Sequence, residues 1–464
     1  MPRTKIVCTI GPASRSRKKL KQLIEAGMSV ARFNFSHGEP SEHLEALKTI
    51  RSLSDNVAVL LDLQGPRIRT GSLERGKAFL KDRHKITLTG KKVSGNAEQV
   101  SITPAKVIKD IHRGDVIYIA DATIRLKVLS VLKDKIKCLV EDGGVLGEHK
   151  GVNLPATKLS LPSITDKDKK DILWGIKNKV DYIGISFVRR PKDVLEVKEI
   201  LKRKRSKISV IAKLEKPEAI RNLDEIVKVS DGIMVARGDL GIEMSLAKVP
   251  MVQKKIITTC QLYSKPVITA TQMLESMVTE ERPTRAEVSD VANAVLDGTD
   301  AIMLSEETAI GRYPVEAVKV MARIAGEAEK AIKYLPDCEY KFHSIDFAVS
   351  HAACQVAREL GAKAILTFTE TGSTALRVSK YRPETPIIGI VIRDEVLRKL
   401  ALYFAVQPVK IKAFKYFDHM IVNAEKALLR LKIAKKGDIV VLTAGIPVHI
   451  PGTTNLIRVH RIGQ

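Results

Sequence analysis

Short apolar runs rich in β-branched residues alternate along this chain with amphipathic stretches of helical period. Eight of the runs read as strands: "KIVCTIG", "VARFNFS", "VAVLLDL", "DYIGISF", "KISVIAKLE", "GIMVARGDL", "PVITATQ" and "AIMLSEE". Helical patterns separate them at most steps, for example over Arg17 to Ala26, Pro191 to Arg203, Lys248 to Tyr263 and Thr284 to Leu296. Such alternation is the signature of α/β architecture with parallel strands. Eight strand–helix units predict a (β/α)8 TIM barrel. A doubly wound open sheet is the alternative, and it would carry a Gly-rich phosphate turn after its first strand. The segment there, "TIGPAS", is not a GxGxxG turn.

The regularity breaks once. Between the third and fourth barrel strands the pattern becomes strand-like and turn-rich, with "KITLTG", "DVIYIAD", "TIRLKVLSVL" and "KIKCLVEDGG". This predicts a small all-β domain inserted at a βα loop, the place where lids are built. After "GEAEKAIKYLPD" a second α/β unit begins, with strands "AILTF", "PIIGIV", "QPVKI", "DIVVLTAG" and "NLIRVH". The predicted division is therefore a barrel over 1–70 and 158–336, a β lid over 71–157, and a C-terminal doubly wound α/β domain over 337–464.

Composition adds bounds. The 464 residues, 44% hydrophobic and 28% charged, describe an ordinary globular protein with room for more than one domain. No apolar run reaches the length of a membrane span, and the opening "MPRTKIVCTIG" has no signal-peptide core, so a cytoplasmic location is expected. The five cysteines (Cys8, Cys138, Cys260, Cys338 and Cys354) form no CxxC pair, which argues against a disulfide framework or a zinc site. The net charge of +25 admits nucleic acid, an acidic membrane surface or anionic small molecules as partners. Its densest run, "LKRKRSK" over Leu201 to Lys207, lies at a helix end. Only 4% of residues are aromatic, so a solvated helix end is preferred there to a nucleic-acid surface.

In a TIM barrel the C-terminal strand ends form the active site. Those ends carry Arg32, Asn34 and Ser36, then Asp62, Ser186, Lys213 and Glu215, Arg237 and Asp239, Thr271, and Ser305 with Glu307. Glu215 and Asp239 suit a hard divalent cation that keeps several waters. Lys213 shares a strand face with Glu215, two residues away. With Arg32 and Arg69 it turns the mouth cationic. Each of these residues alone has an ordinary structural reading, as a loop cap or a surface lysine. Their convergence points to metal-dependent phosphate or oxyacid chemistry.

Several long segments then carry a specific resemblance. "VARFNFSHG", "KGVNLP", "VIAKLE", "SDGIMVARGDLG", "VITATQMLESM" and "RPTRAEVSDVANAVLDGTDAIMLSEET" are similar, in order and spacing, to the signature segments of the pyruvate kinase family. The resemblance covers nearly the whole chain. It implies a homotetramer that converts phosphoenolpyruvate and ADP to pyruvate and ATP with Mg²⁺, or Mn²⁺ in its place. Motif by motif, it implies that Lys213 stabilises the transferring phosphoryl group and the developing enolate, and that Glu215 and Asp239 hold the metal. Arg32 would bind phosphate, Ser186 would be a further substrate contact, and Gly238 with the Asp239 backbone would take the substrate carboxylate. Thr271 and Ser305 would serve the proton relay. Asn34, His37, Arg69, the lid's Lys150 and its Asp121 would meet the nucleotide. Rival readings are a metal-dependent lyase on a related barrel, which would not need the lid, and a nucleic-acid-binding protein.

Two departures from the family pattern change the expectation. Many members hold K⁺ with an Asn, a Ser, an Asp and a Thr backbone, with a Glu nearby. Here Asn34, Ser36 and Asp62 remain, but Leu63 stands at the Thr position and Arg67 at the Glu position. A guanidinium a few ångströms from a monovalent-cation site opposes binding by roughly a few kcal/mol, so Arg67 is expected to replace K⁺. In the C-terminal domain "TETGSTAL" resembles a phosphate-ester loop, with Thr369, Thr371, Gly372, Ser373 and Thr374 as an effector site and "GIPVHIPGTTNLIRV" as its cover. Ser373 stands where an arginine often does, and a helix N-cap is the plain reading of such a turn.

Overall fold

The computed structural model describes residues 2–155, 157, 159–332, 344–414, 416–447 and 454–464. Among them, eight parallel strands close a barrel: β1 (Lys5–Thr9), β2 (Met28–Asn34), β3 (Ala58–Asp62), β4 (Tyr182–Ile185), β5 (Ser209–Leu214), β6 (Gly232–Ala236), β7 (Val267–Ala270) and β8 (Ala301–Leu304). Each pairs with its neighbours in sequence order, and β1 pairs with β8. The closed order excludes the open sheet.

The strands read as continuous apolar runs because both of their faces are covered. Their side chains alternate between two cores. Cys8, Ala31, Phe33, Val59, Leu61, Ile183 and Ala212 point outward, to a core that includes Leu20 and Ile50 from the surrounding helices. Val7, Val30, Ala58, Leu60, Tyr182 and Ile211 belong to a second core, which fills the barrel and continues into Ile365, Leu400 and Val406 of the C-terminal domain. That domain therefore closes the floor of the barrel.

The helix starts follow local chemistry. Thr284 caps Arg285–Leu296 and forms a capping box with Glu287. Pro191 opens Pro191–Arg203, where its missing N–H costs nothing. The helix expected over Lys248 to Tyr263 spans Val249–Leu262. The strand ends differ more. β5 stops at Leu214, so Glu215 lies just beyond it. β6 stops at Ala236, and Arg237 and Asp239, expected at a strand end, sit in the short helix Arg237–Glu243. Likewise Glu306–Ala309 is a helical turn after β8. In each case the apolar run and the strand end together, and the polar residue that follows (Glu215, Arg237 or Ser305) begins the turn.

The inserted region leaves the barrel after β3. Seven strands close a second, smaller barrel, and Lys77–Leu80 pairs with Gly144–Gly147 beside it. Ile68–Thr70, read from the sequence with the larger barrel, pairs with Gln99–Thr103 and Gly151–Asn153 of the smaller one. The chain's entry and exit strands thus lie side by side, with Arg69 opposite Gly151. Leu88, Val100, Ile117, Leu126 and Ile136 give this unit its own core. In the C-terminal region the strand order is Val406–Lys410, Ile387–Val391, Ala364–Phe368, Ile439–Ala444 and Leu456–Arg461, the last antiparallel.

Candidate active site

Strand parity puts the charges in the barrel mouth. Thr9, Arg32, Asp62 and Lys213 each lie two residues after an inward-facing apolar residue: Val7, Val30, Leu60 and Ile211. The inward rows therefore end in polar groups at the C-terminal rim. Leu63 has the opposite parity and packs outward with Phe33 and Leu61, 2% exposed.

These groups form one buried network. Arg32 donates from Nε to Asp62 Oδ2 at 2.7 Å and from Nη1 to Thr9 Oγ1 at 2.8 Å. Lys213 Nζ lies 3.1 Å from Asp62 Oδ1, 2.9 Å from Glu215 Oε1, and donates to Ser186 Oγ at 2.8 Å. Ser186 in turn donates to the Leu63 carbonyl at 2.6 Å. Glu215 Oε2 accepts the Phe187 amide at 2.8 Å. Burial opposes the charge on Asp62, but Lys213 and Arg32 outweigh it and hold its carboxyl below the ordinary range. Burial also works against the Lys213 ammonium. The charges of Asp62 and Glu215 outweigh it, and the lysine is held protonated.

Glu215 goes the other way. Burial raises its pKa, Asp239 raises it further, and Lys213 only partly offsets them. A buried carboxylate facing a second one is the electrostatic setting that a divalent cation relieves. Among the described residues no cluster of three or more His, Cys, Asp or Glu side chains is arranged to hold a metal. Two protein carboxylates, with the remaining positions left to water and ligand oxygens, fit a hard cation of the Mg²⁺ kind.

The other rim residues fall into three groups. Thr271 Oγ1 accepts the Gly238 amide at 2.8 Å and donates to the Ala270 carbonyl at 2.6 Å. Its backbone has φ of 68°, and Arg237 fixes that turn by donating to the Thr271 carbonyl at 2.7 Å and to Asp290 at 2.7 Å. Ser305 donates its amide to Glu307 Oε2 at 2.7 Å, and Glu307 also accepts the Leu274 amide. On the opposite side His37 is exposed. Partial desolvation of its ring beneath the neighbouring loops, then Arg67, Arg69 and Arg32, push its pKa down. Arg69 is itself lowered by burial and by Arg67, so the two guanidinium groups of "LLDLQGPRIRTG" stand close together. Among the described residues neither has a carboxylate partner. Asn34 accepts the Ser36 amide at 3.1 Å. Lys150 is exposed, its amide held by Thr70 Oγ1 at 2.9 Å.

The lid overhangs this mouth. Arg67, Asp121, Asn153, Arg189, Lys216 and Asp239 line one cleft between the two barrels. Asn153, Arg189, Lys216 and Glu243 were missed as site residues. Asn153 lies in the "KGVNLP" segment, Lys216 follows Glu215, and Glu243 lies one helical turn after Asp239, so the spacing held a signal. In the C-terminal domain, Thr369 Oγ1 accepts the Gly372 amide at 2.8 Å and Thr371 donates to Ser373 Oγ at 3.1 Å. Thr374 shares a buried hydrogen bond with Thr454 at 2.8 Å. Residues 448–453 of the expected cover lie outside the described residues.

A barrel mouth that sets a lysine and three arginines around a carboxylate pair, beneath an inserted β domain, defines a phosphoryl-transfer enzyme. Positioning and positive charge are what that chemistry demands. The family models for the pyruvate kinase barrel domain and the pyruvate kinase alpha/beta domain match residues 1–318 and 347–460. The chain belongs to the pyruvate kinase family and is a phosphotransferase. It is 46% identical over 474 aligned residues to the pyruvate kinases of Staphylococcus aureus strains MRSA252 and USA300, covering 100% of this chain and 81% of theirs. The crystal structure of a pyruvate kinase from Cryptosporidium parvum superposes with a TM-score of 0.93 at 38% identity, covering 99% of this chain and 96% of that one.

Proposed function

We propose that this chain transfers the phosphoryl group of phosphoenolpyruvate to ADP, giving pyruvate and ATP, with Mg²⁺ or Mn²⁺ and without need of K⁺. The observation that carries the reading is the Lys213 ammonium, held charged between Asp62 and Glu215 at the centre of the mouth. An ammonium there stabilises the negative charge that builds on the phosphoryl oxygens and on the enolate as the bond to phosphorus breaks. Arg32, locked by Asp62 and Thr9, orients the phosphate. Gly238 and the Asp239 backbone receive the carboxylate, and Thr271 with Ser305 carries the proton to the enolate carbon. Asn34, His37, Arg69, Lys150 and Asp121 meet the nucleotide, and Ser186 completes the substrate side. When bound at Glu215 and Asp239, the divalent cation supplies Lewis-acid charge stabilisation.

K⁺ independence has separate support. Both oxygens of Asp62 already face cations, the Leu63 side chain packs into the outer core, and Arg67 brings a fixed positive charge to the rim. The test is a coupled assay for ATP formation with K⁺ replaced by tetramethylammonium. Full activity is expected in its absence, and strong activation by added K⁺ would contradict the assignment.

A homotetramer in the cytoplasm is the proposed state, on family grounds. No described helix is long and apolar enough to cross a membrane. The hydroxyl-rich turn Thr369–Thr374 supports a phosphorylated effector in the C-terminal domain.

A further inference from the structure

A buried carboxylate of the barrel meets the lid. Glu243 ends the helix Arg237–Glu243 and is 4% exposed. Its Oε1 accepts Lys216 Nζ at 2.6 Å from the barrel and Asn153 Nδ2 at 3.0 Å from the lid. Its Oε2 is buried with no hydrogen-bond partner among the described residues. Asn153 stands at the end of Gly151–Asn153, the strand by which the chain leaves the smaller barrel. Farther along the same exit, Arg189 donates to the Leu159 and Leu161 carbonyls at 2.5 and 2.8 Å and to Ser163 Oγ at 3.2 Å.

The two attachments differ in kind. Arg189 grips main-chain oxygens through several N–H groups, which suits a fixed pivot. Asn153 makes one side-chain bond to a charged acceptor at the lid's edge, which suits a contact that forms and breaks. The acceptor stays ready in either case, because the Lys216–Glu243 ion pair lies wholly within the barrel. The sequence also ties this contact to the reaction centre. Glu243 is four residues after Asp239 on the same helix, and therefore on the same face. Lys216 directly follows Glu215.

We propose that Glu243 is a positioning residue that latches the lid through Asn153 and so couples lid closure to the helix bearing Asp239. This rests on the reading of Glu215 and Asp239 as the cation ligands and of the smaller barrel as a closing lid. With Asn153 seated, the lid's Asp121 lines the same cleft as Asp239 and Lys216, and water is kept from the phosphoryl group. An unlatched lid admits water. Phosphoenolpyruvate then loses its phosphoryl group to water, giving pyruvate and inorganic phosphate with no ATP.

The experiment compares Asn153→Ala and Asn153→Asp in the full-length enzyme, with pyruvate and ATP measured separately in one reaction. A hydrogen bond to a charged acceptor is lost in the first, so kcat should fall by about tenfold or more. The second sets two carboxylates against each other and should fall further. In both, KM for ADP should rise, the ratio of ATP to pyruvate should drop below one, and the melting temperature should stay at the wild-type value. If both variants keep kcat, KM for ADP and a ratio of one, the latch is overturned. The cation reading is checked apart. Glu215→Gln should raise the Mg²⁺ concentration needed for half-maximal activity while leaving the ratio of ATP to pyruvate at one, the ratio that the Asn153 variants lower. Failure in Glu215→Gln alone sinks the cation reading and not the latch.

Discussion

The two ends of the large barrel are both lined with charge, but the charges are used differently. At the floor, Asp181, Asp231 and Asp300 stand immediately before β4, β6 and β8. Each accepts an amide near the start of the preceding strand, from Val59, Val210 and Val267, at 2.8 Å. Each is then closed by cations. Arg51 and Arg398 meet Asp181 at 2.6 and 2.7 Å, Lys198 meets Asp231 at 2.7 Å, and Lys380 and Arg382 meet Asp300 at 2.5 and 3.1 Å. At the mouth, among the described residues, Asp62 is closed by Arg32 and Lys213, and Glu215 by Lys213 and the Phe187 amide. Among the described residues Arg67, Arg69 and Asp239 have no ion-pair partner. Charge paired within the protein holds strands and domains together, while charge left over is available to a ligand. The contrast matches the division of labour between the two faces of a TIM barrel.

The largest effects should separate the two ends cleanly. Lys213→Met removes the central cation of the mouth and is expected to lower kcat by at least about 10²–10³-fold, with little change in KM for ADP. Steady-state kinetics beside a thermal melt would show this. An activity loss that only tracked unfolding would break the distinction between the ends. Lys380→Met makes the opposite cut. Lys380 is 1% exposed and joins the C-terminal domain to the barrel floor through Asp300. Leaving that carboxylate short of a partner should cost about 3–5 kcal/mol of unfolding free energy. In denaturant titration the loss should be plain, while kcat of the folded fraction stays within about twofold of wild type.

A pH test sharpens the same floor. Lys5 opens β1, donates to the Val406 carbonyl of the C-terminal domain at 2.8 Å, and lies against Glu329. Burial lowers its pKa from 10.5 to about 8, with Glu329 only partly opposing. The unfolded chain therefore holds more protons between about pH 8 and 10.5, and stability should rise with pH across that window. Below pH 8 the native state carries the full cost of the buried charge. Integrated over the window, the shift is worth about 3 kcal/mol. Lys5→Met should flatten that rise, read as the difference between the two stability–pH curves.

The sequence carried the barrel because parallel strands buried on both faces leave long apolar runs, and their polar ends are conspicuous. Arg32, Asp62, Lys213 and Glu215 were legible for that reason. The floor was less visible. Asp231 and Asp300 lie outside the apolar runs and Asp181 only opens one, and their cations come from far along the chain, as with Lys380. The lid boundary was blurred because Ile68–Thr70 follows β3 closely and only its pairing with Gly151–Asn153 assigns it. Glu243 went unnoticed because its partner, Asn153, is 90 residues away.

The smallest expected effect bears on the unpaired charge that distinguishes this mouth. Arg67 is exposed at the turn before Ile68–Thr70, close enough to His37 and Arg69 to depress the pKa of both. If its guanidinium stands in for a monovalent cation, replacing it should create a need for one. Arg67→Glu with Leu63→Thr gives positions 67 and 63 the residue types that K⁺-holding relatives carry there, beside Asn34, Ser36 and Asp62. In tetramethylammonium this double variant should be slower than wild type by about tenfold, equivalent to about 1.4 kcal/mol in the barrier. Added K⁺ should recover most of the loss while leaving the wild-type rate unchanged. A double variant that is slow and indifferent to K⁺ would mean that Arg67 meets the substrate or nucleotide directly. The leftover charge of the mouth would then belong wholly to the ligands.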